Sequence, residues 1–138
     1  MPGPRSITTA CSAICAALFA ASLPTSHAQA CCDPESPFRE GEGWSDRPAT
    51  CETVAGWAEK APGTSARISM TIRGRLAVVE KDSALVYLVM CEEPGMQVLC
   101  VTYERNGMTL GEVVEFGGGY ERRGPRQIVL DPCLASRE

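Results

Sequence analysis

The sequence predicts a mainly β domain: a small antiparallel barrel or sandwich of five strands, preceded by a short α-helix and a cysteine-bearing N-terminal arm. Three observations predict it. From residue 66 onward, apolar residues recur with a period of two, the spacing of a half-buried strand. Turn signals at Glu92-Glu93-Pro94-Gly95 and Asn106-Gly107 divide that region into short segments. Only residues 47–61 carry helical spacing. At 138 residues, 44% hydrophobic and 22% charged, the chain has room for one domain and the composition of a globular one.

The first 30 residues read as a cleaved signal peptide. Arg5 supplies a positive start, residues 7–23 form a small apolar core, and Ala28-Gln29-Ala30 is a small-x-small processing site. Cleavage is expected after Ala30, with Ala28 as the other candidate position. An uncleaved anchor, or lipidation at Cys31, would instead hold the protein at a membrane, although the residues before Cys31 lack the leucine of a lipidation site. Processing leaves 108 residues with twelve cations against seventeen acids, a net charge of −5. The expected location is periplasmic or secreted.

The remaining chain divides at residue 63. Residues 31–46 hold two prolines, two glycines and five acidic side chains without any period, an irregular arm. Over 47–61, Asp46 can cap and Pro48 suits an early helical position. Cys51, Val54, Trp57, Ala58 and Ala61 then share one face up to Pro62-Gly63. The domain proper runs over 64–138. Its first strand alternates Ile68, Met70, Ile72, Leu76 and Val78 with polar residues, and Gly74 inside it marks a bulge or bend. Strands follow at 84–91, 96–103, 112–122 and 126–131, the last stopped by Pro132.

Processing also changes the chemistry available. His27 is the only histidine and leaves with the leader, which excludes Ser-His and Cys-His nucleophilic pairs and imidazole zinc sites. Six of eight cysteines remain: Cys31, Cys32, Cys51, Cys91, Cys100 and Cys133. None forms a C-x-x-C pair, so neither a zinc knuckle nor a thioredoxin-type site is expected, and no metal or other cofactor is assigned. In an oxidising compartment an even count reads as a disulfide framework. Gly117-Gly118-Gly119 lacks the Lys-Ser/Thr and the following helix of a phosphate loop, and suits a bulged or closely packed strand.

Residues 67–134 resemble the OB-fold, a five-stranded Greek-key barrel. Arg73-Gly74-Arg75-Leu76 in a long bending strand and Leu110-Gly111-Glu112-Val113-Val114 before the fourth strand carry the likeness. Val98-Leu99-Cys100 and Leu130-Asp131-Pro132-Cys133 are similar to the paired cysteines of tRNA-anticodon-binding-like OB domains in small exported bacterial proteins. The resemblance implies a five-stranded OB-like Greek-key barrel and a Cys100–Cys133 bridge. Cys31, Cys32, Cys51 and Cys91 then admit three pairings, and bridges from the vicinal pair to the helix or the second strand would tether the arm.

OB domains bind ligands across their second and third strands and the adjoining loops. Candidate ligand-binding residues are Tyr87, Tyr103 and Tyr120 for stacking, with Arg73, Arg75, Arg105, Arg122, Arg123 and Arg126 as cations. The expected function is that of an exported binding module for an envelope protein, a peptide or a small ligand, without catalysis. Single-stranded nucleic acid on the same face is the alternative, disfavoured by the charge of −5. An enzyme would have to work without histidine, for instance through a carboxylate pair.

Overall fold

The computed structural model describes residues 33–92 and 94–137. The leader, Cys31 and Cys32 lie outside those residues. The elements in chain order are β1 (Phe38–Glu40), β2 (Ala49–Thr50), α1 (Val54–Glu59), β3 (Ile68–Lys81), β4 (Val86–Met90), β5 (Gln97–Thr102), β6 (Val113–Gly124) and β7 (Gln127–Arg137).

The five long strands close into a barrel. β3 pairs with β4, β4 with β5, β5 with β7, β7 with β6, and β6 returns to β3. Every contact in the ring is antiparallel except β5–β7, which is parallel because β6 intervenes in the chain. This is the OB-like Greek-key barrel that the sequence predicts. Closure depends on the 14 residues of β3. Its first half, Ser69–Arg75, faces Gly119–Val113 of β6; its second half, Leu76–Lys81, faces Met90–Val86 of β4. The register shifts between Leu76 and Val78, beyond the glycine that the sequence marks as the bend. Gly74 serves another purpose. A Cβ there would stand 2.9 Å from the Cys51 sulfur and 3.1 Å from the Met90 sulfur, so the glycine admits the packed sulfur atoms.

Alternate residues of these strands fill the interior. Met70, Ile72, Leu88, Met90, Val98, Val114, Phe116, Ile128 and Leu130 are fully buried. Each such side chain stabilises the fold by about 1.5–3 kcal/mol through removal from water. Two disulfides reinforce this small core. Cys100–Cys133 joins β5 to β7 as the resemblance implies, and Cys51–Cys91 ties the start of the helical segment to the end of β4. Cys51 and Cys91 are therefore not partners for Cys31 or Cys32.

The arm is held mainly by hydrogen bonds, and it is more regular than its composition suggests. β1 pairs with β3 through Phe38↔Met70, and Ala49-Thr50 lie parallel to Ile72-Arg73. Between them the chain crosses β3. The Ser69 hydroxyl donates to the Gly43 carbonyl at 2.8 Å, and the Thr71 hydroxyl accepts the Ser45 N–H at 2.8 Å. The Ser45 hydroxyl donates to the Ser36 carbonyl at 2.7 Å. These buried serine and threonine groups are satisfied by the arm backbone, as burial requires.

Two boundaries differ from expectation. The helix spans only Val54–Glu59, because Ala49-Thr50 are drawn into β2 and Cys51 into its bridge. Asp46 and Pro48 therefore do not open it. Thr53 precedes it, with its hydroxyl accepting the Thr50 N–H at 2.9 Å. Val54 and Ala58 are nonetheless buried, with Trp57 and Ala61 packed beside them, as the spacing predicts. Secondly, β7 runs through Pro132 to Arg137. Asp131 and Pro132 together oppose Gly119, between the pairs Gly118↔Cys133 and Tyr120↔Leu130. In that bulge the proline ring nitrogen is not required as a ladder donor.

The bulge leaves no room at Gly118, where a Cβ would lie 2.3 Å from the Pro132 carbonyl. Gly118→Ala is expected to lower unfolding stability by about 3 kcal/mol, the upper end for overpacking. Gly124→Ala, with open space at its Cβ, should change stability by less than about 0.5 kcal/mol. Chemical denaturation of the two variants checks the contrast, and equal effects would contradict the packing described.

Candidate binding surfaces

Two surfaces on the outside of the barrel combine apolar and polar groups. The first lies across β4, β5 and β7. Tyr87 faces Val101 in register, Val89 faces Leu99, and Leu99 faces Val129, so these outward side chains form a continuous apolar strip. Acidic residues frame it. Glu80 is beside Tyr87, Glu121 beside Val129, and Asp131 raises the pKa of the Tyr87 phenol through its negative charge. Asp82, in the β3–β4 turn, accepts the Tyr87 hydroxyl at 2.9 Å and the N–H groups of Ala84 and Leu85 at 2.8 and 2.7 Å.

The other candidates from the sequence do not gather on this strip. Tyr103, 76% exposed, follows β5 and precedes the exposed Arg105. Arg73 is half-buried between its register partners Thr50 and Glu115, and Arg75 donates to the Gly111 carbonyl at 3.0 Å. Tyr120 packs edge-on against Phe38, with ring centroids 5.1 Å apart. Burial raises its phenol pKa, and its hydroxyl has no hydrogen-bond partner.

The arginines of the β6–β7 turn are engaged by neighbours. Arg122 bonds Glu59 at 2.8 Å and the Pro125 carbonyl at 3.1 Å. Arg123 pairs with Glu121 at 2.9 Å, and Arg126 donates to the Pro94 carbonyl at 3.1 Å. The hydrogen bond to Glu59 raises the Arg122 pKa. The nine candidates thus lie in separate neighbourhoods.

The second surface was not marked by sequence reasoning. A trough of about 390 Å³ runs over Gly117, Gly118 and Gly119. The Trp44 indole covers Gly117 closely: a Cβ there would stand 2.9 Å from Cδ2 and Cε2 of the ring. Leu134 and Pro132 form the apolar side on β7, and Arg67 stands at the Gly119 end. Trp44 is 39% and Leu134 65% exposed, two of the four large hydrophobic side chains prominent on the described surface. Arg67 meets Glu42 at 3.5 Å, with both side chains at least half exposed. A neighbouring hollow beside Tyr120, Arg122 and Asp131 shares Arg67 and Gly119, so the depression extends along β6. The available signal was a tryptophan in an aperiodic arm followed much later by three glycines, which only the folded chain brings together.

No protein-family model matches the chain, and no curated protein sequence matches it. Among solved structures, a chain of the S. pombe Stn1–Ten1 complex is similar, with 17% identity and a TM-score of 0.39. The alignment covers 55% of this chain and 62% of that one, so the likeness spans less than two thirds of the matched chain.

Asp82 provides a local test. Its backbone hydrogen bonds hold the carboxyl below the ordinary aspartate value of 3.8. The stabilisation it gives the β3–β4 turn is complete above that value and is lost as pH falls through the lower, folded-state pKa. An NMR titration should place the Asp82 midpoint below 3.8, and Asp82→Asn should broaden the Ala84 and Leu85 amide signals at neutral pH. An unshifted midpoint would contradict the geometry.

Proposed function

We propose that the protein is an exported, disulfide-stabilised OB-like binding module, of the kind found in small exported bacterial proteins. Its outer β4–β5–β7 face takes a protein, peptide or small ligand, without catalysis. The observation that carries this reading is the strip of Tyr87, Val89, Leu99, Val101 and Val129 inside an acidic frame. Apolar surface of this kind drives association, and the charged rim governs which partners approach. A basic or apolar protein surface complements it; a polyanion does not. Two disulfides in a chain of this size, together with the leader-like first 30 residues, favour an oxidising, extracytoplasmic compartment.

The tied state of the cations supports the same choice. Arg122, Arg123 and Arg126 each contact a carboxylate or carbonyl of the chain itself. A single strand of nucleic acid would have to displace those partners before its phosphates were neutralised. The sole histidine belongs to the leader, and the strained turn of a catalytic constellation is replaced here by ordinary turn hydrogen bonds around Asp82.

The test is capture of partners from the native envelope by the disulfide-intact protein, with Leu99→Lys and Val101→Lys as comparisons. Both side chains point outward, so the barrel should keep its circular dichroism while partner recovery falls at least tenfold. In parallel, anisotropy with a fifteen-nucleotide oligothymidine should show no saturable binding. Binding that weakens steeply with salt and falls in Arg122→Ala and Arg123→Ala would replace this reading with the nucleic-acid one.

A further inference from the structure

The trough over the three glycines lies on the opposite wall of the barrel from the β4–β5 strip, on β3, β6 and β7, and is built differently. Its floor is backbone. Its one aromatic wall is immobilised because Gly43 and Ser45, the neighbours of Trp44, are hydrogen-bonded to Ser69 and Thr71. The indole is therefore held over Gly117 while remaining 39% exposed. Exposed apolar side chains on both sides, Trp44 and Leu134, offer a slot for one apolar side chain of a ligand.

The charge at the end of the slot selects what must follow. Arg67 is the only cation lining the trough, and its Nη2 reaches to 3.2 Å from the Cβ position of Gly119. Its present contact is a single approach to Glu42 at 3.5 Å between well-solvated side chains. Such a pair contributes about 0–1 kcal/mol, whereas a guanidinium can take a carboxylate with two parallel hydrogen bonds. A ligand carboxylate can therefore replace Glu42 without a large penalty.

The spacing then defines the ligand. Gly117, under Trp44, and Gly119, under Arg67, are two residues apart on β6, a distance of about 6.6 Å in an extended strand. An extended peptide presents side chains to one side at the same two-residue interval. We propose that the trough binds an extended peptide segment carrying an apolar side chain and, two residues away, a carboxylate. The apolar group lies between Trp44 and Leu134, and the carboxylate lies on Arg67. The hollow beyond Gly119 accommodates continuation of the peptide past Arg67. This site is separate from the β4–β5–β7 strip, and either can exist without the other.

The test uses isotope-labelled, disulfide-intact protein and three short probes: acetyl-Gly-Leu-Ser-Glu-Gly-amide, its glutamine counterpart, and the permuted acetyl-Gly-Ser-Leu-Glu-Gly-amide. The first should shift the amide signals of Gly117, Gly118 and Gly119 and the Trp44 indole signal in a saturable manner. The glutamine and permuted probes should bind about tenfold more weakly, the cost of one charge-assisted contact. Arg67→Gln should remove the difference between glutamate and glutamine probes, and Trp44→Ala should weaken all three while the remaining barrel amides stay in place. Equal affinities for the three probes, a glutamate preference that survives Arg67→Gln, or no saturation at millimolar peptide would overturn the proposal. Shifts confined to Tyr87, Leu99 and Val101 would also overturn it while leaving the β4–β5–β7 reading standing.

Discussion

Hydrogen bonding along β3 is the constraint on which the rest of the molecule depends. Its first half is shared with β6 and its second half with β4, so one strand joins both ends of the sheet and turns it into a closed ring. Closure removes the exposed edges that an open five-stranded sheet would present. It also brings β7 beside β5, where Cys100 and Cys133 can meet, and sets Gly74 against the Cys51–Cys91 bridge. Both disulfides follow from how β3 is divided between its neighbours.

The same strand organises the arm. Ser69 and Thr71 point outward from its first half, where a barrel surface would ordinarily be wet, and they are buried because residues 41–47 cross over them. Short polar side chains suit this position, since each can exchange bonds with a crossing backbone without filling space. The crossing fixes Trp44 above Gly117 and creates a trough that the barrel strands alone would not possess. A loop of polar composition thus becomes the wall of the most apolar depression on the described surface.

Charge is distributed with comparable economy. Ten of the twelve cations beyond the leader are arginines, yet those of the β6–β7 turn bond Glu59, Glu121 or backbone carbonyls and help anchor α1 and the β4–β5 turn. Exposed pairs of this type contribute little stability individually. Their consequence is electrostatic: positive charge is neutralised locally while the carboxylates around Tyr87 keep their negative field. That arrangement makes the β4–β5–β7 strip a surface for apolar or basic partners.

Alternation of apolar residues, the Glu92-to-Gly95 and Asn106-Gly107 turns, and the helical face from Val54 to Ala61 determined the barrel strands and the one helix. Those properties are local: periodicity and turn chemistry act over a few residues and can be read in one dimension. The Cys100–Cys133 bridge was legible through resemblance to a family pattern. The extent of α1, the passage of β7 through Pro132 and the role of Gly74 were not, since each was settled by a partner far away in the chain. The stacking candidates illustrate the same division. A tyrosine in an alternating strand is equally suited to either face, and only the packed barrel sends Tyr120 against Phe38 and leaves Tyr87 outside. Sequence alone determined what kinds of surface this chain can make. Tertiary structure decided where they lie, because Trp44, Arg67, Gly117 and Leu134 become neighbours only when a crossing arm and two distant strands are brought together.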